Sequence, residues 1–462
     1  MFKIGKSTSQ MARLTSHSRI DQKRKISFTF DGKSYSGYAG DTLASALLAN
    51  GVHLVGRSFK YHRPRGILSA GSEEPNALIR LGKGAYAEPN LRATQIEIFD
   101  GLYAESQNRL PSLSFDIGAI NSVLARFFPA GFYYKTFMWP AAMWMKYEHV
   151  IRHAAGLGKA ADDHNDPDRY EKTHAHCDVL VAGGGAAGLA AALQAGRSGA
   201  RVIIADEQNE FGGWLLGEAD IHIDDKPALD WIAKIRDELA TMPNVTMLPR
   251  TTVFGYMDSN YLTLNERVTD HLPERPAHLP RQRLWKVRAK QTVLAQGAHE
   301  RPLVFAGNDL PGVMLAGAVR TYINRYATLP GQRAIVMTNN DDAYRTALAL
   351  DNAGARVTIA DLRAKPSGAL FRAATDAGIE ILTGHAVITA HGNHRIARGF
   401  KWPPKDDRPP PLLVISSEKL DLLGPCRAGC HPLFTCTHRR AVNYNGMIKS
   451  SVSSHQPHMR QA

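Results

Sequence analysis

The run Cys177–Ala182, followed at once by Gly183-Gly184-Gly185-Ala186-Ala187-Gly188, constrains this chain more than any other feature. An apolar stretch (CDVLVA), a glycine turn, an Ala/Leu-rich segment and a second apolar stretch (RVIIA) ending in Asp206 follow one another in order. That is the strand–helix–strand pattern of a dinucleotide fold. Each glycine has a separable task. Gly183 permits the tight turn, Gly185 lets the backbone approach a pyrophosphate, and Gly188 lets the helix pack on the strand. The helix start adds N–H donors and the positive end of a dipole. Asp206 lies 23 residues beyond Gly183, placed to accept hydrogen bonds from an adenosine ribose. Its charge disfavours a 2′-phosphate, which points to NAD or FAD rather than NADP. A fold that keeps this shape and binds nothing is the competing reading.

The 462 residues allow two to four domains. A net charge of +13 suggests a polyanion partner until the charges are located. Residues 1–25 carry six of the excess and residues 403–462 four, so the body is nearly neutral and no nucleic-acid partner is expected. No stretch reads as a membrane span, and the N-terminus lacks the apolar core of a secretory signal. Four cysteines make no disulfide framework, which fits a reducing, cytoplasmic setting.

Residues 1–25 are polar, basic and aperiodic and read as a disordered lead. Ile26, Phe28 and Phe30 then alternate with Ser27 and Thr29, and Asp31-Gly32 turns the chain back through Tyr35. Asp41 is placed to N-cap a helix striped by Leu43, Ala44, Leu47 and Leu48, which Asn50-Gly51 ends. Hairpin followed by helix opens a β-grasp module, as in ubiquitin-like and plant-ferredoxin folds. An iron–sulfur module of the plant type next needs a C-x4-C-x2-C loop, and HLVGRSFKYHRPRGILSAGSEEPN has no cysteine, so no iron–sulfur cluster is expected. Lys60, His62, Arg63 and Arg65 in that loop are either an anion-binding cluster or a solvated charged face.

The domain reading is a β-grasp module over 26–100, an aromatic-rich connection and linker over 101–172, and a dinucleotide domain over 173–330. A second βαβ unit follows over 331–385, then a return toward the dinucleotide domain over 386–402. The turn of the second unit, Thr338–Asp342, has no glycine and two aspartates that would repel a pyrophosphate. It reads as a nucleotide-domain shape without a nucleotide. Residues 403–462 hold three of the four cysteines and eight of the 25 prolines, with no period of 2 or 3.6. Cys426, Cys430, His431, Cys436 and His438 match no usual zinc spacing, so no metal site is expected, and the segment reads as an out-of-frame or disordered tail. The fold class is α/β: an N-terminal β-grasp (ferredoxin-like, clusterless) module followed by FAD/NAD(P)-binding Rossmann domains of the two-dinucleotide type. No residue stands out as a catalyst. Cys177 alone cannot serve a disulfide reductase, which needs a redox pair, and reads as a small core thiol.

Several stretches together carry a family resemblance: FTFDGKSYSGYAGDTLASALLANG, SFKYHRPRGI with EEPNAL, FPAGFYYKTFMWP, VAGGGAAGLAAA with ADEQNEFGG, TTVFGYMD, and GAHERPLVFAGNDLPGVM. From about Arg19 to Trp402 the chain resembles the N-terminal part of the alpha subunit of heterotetrameric sarcosine oxidase. The resemblance implies a cytoplasmic flavoenzyme complex that demethylates sarcosine to glycine, with oxygen as electron acceptor and tetrahydrofolate as one-carbon acceptor. It implies NAD in this chain, with FAD the alternative, and FAD and FMN in the beta subunit. Gamma and delta subunits complete the complex. It places nucleotide contacts at Gly183, Gly185, Ala187, Gly188, Asp206, Glu207, Gln208, Trp214 and Val253. The family's folate-binding half has no counterpart in this sequence, so the chain alone is expected to be inactive. A subunit of a related amine, proline or opine dehydrogenase complex and a non-functional fragment are the alternatives.

Overall fold

The computed structural model describes residues 10–15, 18–127, 139–154, 158, 160–161, 164–392, 394, 396–399, 412–416 and 419–421. The N-terminal module is a five-stranded mixed sheet with one helix. Its strands are β1 (Asp21–Phe30), β2 (Lys33–Ala39), β3 (Leu78–Leu81), β4 (Glu88–Arg92) and β5 (Leu102–Ser106), in the order β2-β1-β5-β3-β4. β1 and β5 run parallel, with Phe28 opposite Leu102, while β1 and β2 form the hairpin. Ile26, Phe28 and Phe30 point into the core as the alternation requires. β5 lies past the expected boundary at residue 100, because the sheet needs a central strand between β1 and β3.

Helix α1 (Leu43–Ala49) is buried along its whole length. Its N-cap is Thr42, not Asp41: the Ser45 N–H donates to Thr42 Oγ1 and the Thr42 N–H donates to Ser45 Oγ, a reciprocal capping box. Asp41 is fully buried and takes Arg13 at 2.6 Å, Ser45 Oγ and the Tyr38 N–H instead. For residues 10–15 and 18–25 that corrects the reading of a disordered lead. Residues 10–15 and 18–25 are placed, because Arg13 satisfies a buried carboxylate and Ile20 is itself buried.

The loop between α1 and β3 closes around a second buried carboxylate. Glu74 accepts four main-chain N–H groups, from Leu68 (2.8 Å), Ser69 (2.7 Å), Asn76 (2.7 Å) and Ala77 (3.1 Å). All four partners are donors, so only an acceptor pair fits. Glu74→Gln turns an amide NH2 toward two of those donors and should cost about 2–3 kcal/mol of unfolding free energy in urea titration. A loss near zero would mean that the loop relaxes around the amide.

The dinucleotide domain is a six-stranded sheet ordered β8-β7-β6-β11-β10-β9. Its elements are β6 (Tyr170–Ala182), α2 (Ala186–Arg197), β7 (Val202–Ala205), α3 (Ala228–Thr241), β8 (Val245–Leu248), β9 (Thr251–Met257), β10 (Tyr261–Arg267) and β11 (Gln282–Leu294). β8, β7, β6 and β11 are parallel; β10 and β9 complete an antiparallel meander. β6 begins at Tyr170, inside the expected linker, since it pairs with β11 from Gln282 onward.

A third sheet, all parallel, has the order β12-β16-β13-β14-β15. It contains β12 (Val313–Leu315), β13 (Arg333–Thr338), β14 (Arg356–Asp361), β15 (Glu380–Thr383) and β16 (Leu412–Ser416), with helices α4 (Ala316–Asn324), α5 (Asp342–Asn352) and α6 (Ala369–Asp376). β16 comes from the segment expected to be a tail and sits centrally, with Val414 fully buried. The apolar run LLVIS was obscured by the prolines and charges around it. The cysteines and histidines from Cys426 to His438 and the aromatic run 128–138 lie outside the described residues. Among the described residues no helix is long and apolar enough to cross a membrane.

Candidate dinucleotide site

The glycine turn joins β6 to α2 at the C-terminal edge of the parallel strands, the position at which open α/β sheets bind ligands. A side chain on Gly183 would meet Ala295 O at 2.3 Å, and its φ of +105° disfavours any residue with a Cβ. A Cβ on Gly188 would come within 1.8 Å of Gly183 O. Both glycines are therefore required by the fold. Gly185 is different: a Cβ there meets nothing nearer than Gly213 Cα at 4.0 Å. A Cβ is admitted there without a clash, at the N-cap of α2, where the first N–H groups of the helix have no intrahelical partner. That is the cradle a pyrophosphate requires, and a dinucleotide fits it. Ala187 is exposed on the first turn of the same helix.

Two further segments frame the cradle. Gly212 N–H donates to Gly184 O at 2.8 Å, which lays the Gly212-Gly213 bend against the turn and leaves Trp214 partly exposed beside it. After β11 the Ala295 N–H donates to Ala182 O at 2.8 Å, and Gly297 turns at φ +76°. The strand ending in Gln296-Gly297 thus returns to the dinucleotide turn. Val253 lies on β9, half-buried.

Asp206 has partners other than the ribose expected for it. Its carboxylate accepts the Gly184 N–H at 2.6 Å and the Gln208 N–H at 2.8 Å. Burial raises its pKa, opposed by those two bonds. Asp206 thereby staples the glycine turn to the loop that follows β7, and Glu207 and Gln208 are the less buried side chains of that loop.

The loop Asp206–Glu210 is held by residues that the sequence pattern did not single out. Arg250 donates its main-chain N–H to Gln208 O at 2.7 Å, and its guanidinium grips Glu97 at 2.6 and 2.8 Å. Arg267 donates to Glu207 O at 2.6 Å and to Gln95 O at 2.7 Å. Arg325 reaches Gln208 Oε1 and Asn209 Oδ1, and Arg19 pairs with Glu210. Burial raises the Glu97 pKa, but Arg250, His271 and Asn209 outweigh it and hold the carboxyl below the usual range. A small cleft lies here, lined by Gly71, Gln95, Glu97, Glu207, Gln208 and Arg267 among others.

The remaining candidates are occupied by the chain itself. His62 pairs with Asp116 at 2.7 Å, and Arg63 and Arg65 both face Asp309. In the second βαβ unit Asp341 takes Arg363 at 2.7 Å, Asp342 takes Arg320 at 3.0 Å, and Asp361 is buried against Tyr344 and Arg363. Cys177 is buried, which pushes its thiol up to about 11 and fits a core position.

Comparison with known proteins bears on both modules. Residues 23–109 match the family model described as a 2Fe-2S iron-sulfur cluster binding domain, and residues 178–253 match the model for FAD dependent oxidoreductases. The expectation of NAD and no cluster is corrected by these matches, which name an iron–sulfur cluster and FAD. The no-cluster half of that expectation rested on the absence of cysteine from the loop after Gly51, whereas the match spans residues 23–109. Residues 23–109 contain no cysteine. Among the described residues no group of three or more His, Cys, Asp or Glu side chains is arranged to hold a metal ion. The donor set for a cluster is thus not among them.

The chain is 58% identical over 346 residues to sarcosine oxidase subunit alpha of Rhizobium meliloti (strain 1021), covering 75% of this chain and 35% of that one. To the subunit of the same name from Corynebacterium sp. (strain U-96) it is 40% identical over 383 residues, covering 82% and 35%. It spans about a third of the length of these relatives. The fold is similar to that of L-proline dehydrogenase from P. horikoshii, with a TM-score of 0.57 at 18% identity over 88% of this chain and 62% of that one.

Proposed function

We propose that this homologue of sarcosine oxidase subunit alpha is the part of an amine-oxidising complex that holds an adenine dinucleotide. The observation that carries the reading is the open cradle at Gly185, between two glycines that the fold itself requires. The pyrophosphate lies on the N–H groups at the start of α2. Asp206 and the less buried Glu207 beside it, at the end of β7, accept from the adenosine ribose. Val253 and the Trp214 bend border the nucleotide. When bound, FAD supplies two-electron redox chemistry at its flavin ring. This chain's residues bind and orient it, and none of them is assigned a proton-transfer role.

At the level of the complex the reaction is oxidation of sarcosine to glycine, with oxygen taking the electrons and tetrahydrofolate the one-carbon unit. Beta, gamma and delta subunits are the partners. The exposed apolar side chains Phe115, Ile117, Ile120, Val123 and Phe127 support a chain that works against other subunits. The test is co-expression with the beta, gamma and delta subunits of a sarcosine oxidase, with affinity capture through this chain. Capture of a flavin-bearing complex that consumes oxygen on addition of sarcosine is the expected result. Capture of this chain alone, under conditions where the other subunits assemble with a full-length alpha subunit, would overturn the reading.

A further inference from the structure

The dinucleotide loop is not held by its own domain alone. We infer that Glu97, in the N-terminal β-grasp module, is a positioning residue for the dinucleotide site; the inference rests on the proposed dinucleotide reading. Glu97 is fixed within its own module first. The Leu43 N–H donates to Ile96 O at 2.7 Å and the Ile98 N–H donates to Asp41 O at 3.1 Å, which pins the segment to the start of the buried helix α1. From that fixed point its carboxylate takes both Nε and Nη2 of Arg250, a bidentate pair, and the Asn209 amide at 3.2 Å. Bidentate pairing sets direction as well as distance.

Arg250 sits at φ +54°, a left-handed conformation uncommon for a residue with a side chain. In that conformation its N–H reaches Gln208 O while its guanidinium reaches back to Glu97. Arg267 makes a second bridge of the same kind, from Gln95 O to Glu207 O. Glu207 and Gln208 are therefore held to the β-grasp module through Arg267 and Arg250. The consequence is that affinity for the adenosine half of a dinucleotide depends on a module outside the dinucleotide domain.

The test uses the full chain, with FAD, NAD and ADP-ribose as probes in calorimetric titration. Glu97→Ala should weaken binding about tenfold, equivalent to roughly 1.4 kcal/mol. Arg250→Ala should do the same, and the double variant should be no weaker than either single one. The exchanged pair Glu97→Arg with Arg250→Glu should recover part of the loss, which a merely structural role would not give. Amide exchange is read in parallel on the ligand-free chain, where peptides covering 206–210 should exchange faster in Glu97→Ala than in wild type. Glu97→Gln, which keeps one acceptor, serves if the alanine variant fails to fold. Unchanged affinity and unchanged exchange in a folded variant would overturn the inference. A wild-type chain that binds none of the probes would instead overturn the dinucleotide reading, and the exchange comparison would still decide the clamp.

Discussion

Gly185→Val should abolish dinucleotide binding and leave the fold intact. The backbone at Gly185 is extended, with φ −72° and ψ −171°, a conformation valine adopts readily. Its Cβ would enter open space, so the change in unfolding free energy should stay within about 0.5 kcal/mol. That same space is where a pyrophosphate must lie against the N-terminus of α2, and filling it should weaken FAD at least about 100-fold, roughly 2.7 kcal/mol. The neighbouring glycines provide the contrast. Gly188→Ala drives a Cβ into Gly183 O, which must shift β6 against α2, and should cost about 1–3 kcal/mol or more in stability along with binding. Urea unfolding and calorimetric titration on the two variants separate these effects. Binding that survives in Gly185→Val would remove the pyrophosphate from this turn.

Arg320→Ala should be among the most damaging single substitutions to stability. The guanidinium is 3% exposed, with Nε on Glu218 Oε1 at 2.6 Å and Nη2 on Asp342 Oδ2 at 3.0 Å. Nη1 donates to Thr346 Oγ1 and Asp342 O, both at 3.1 Å. The residue therefore fastens the loop after the Gly212-Gly213 bend to α5 of the third sheet. Truncation leaves Glu218 buried without its hydrogen-bonded counter-charge, with only the more distant Arg345 charge remaining, which costs about 3–5 kcal/mol. Urea titration should show a lower midpoint at an unchanged slope. Removing both charges, as Arg320→Met with Glu218→Gln, should recover a good part of the loss, because the damage comes from the orphaned carboxylate. A loss under about 1 kcal/mol in Arg320→Ala would mean that water reaches Glu218 freely.

What the sequence made legible was whatever is local. The alternation at Ile26, Phe28 and Phe30, the glycine turn and both βαβ units are set by spacing along a few dozen residues, and the strands and helices lie there. What it hid depends on partners far along the chain. Asp206 occupies the expected position at the end of β7, and each of its oxygens also accepts a main-chain N–H, from Gly184 and from Gln208, which only the folded loop reveals. Glu97 and Arg250 are 153 residues apart and carry no motif. Thr42 displaced Asp41 as the helix cap because Arg13, in a stretch without period, claims Asp41. β16 went unread because five apolar residues amid prolines look like a linker until β12 and β13 are seen to leave a gap between them.

The most direct test of the account is release of bound nucleotide from the purified full chain by acid, identified by mass spectrometry, with titration of the stripped protein by FAD and by NAD. Close to one dinucleotide per chain is the expected result, with retention lost in Gly185→Val. A chain that releases no dinucleotide and binds neither on titration would contradict it.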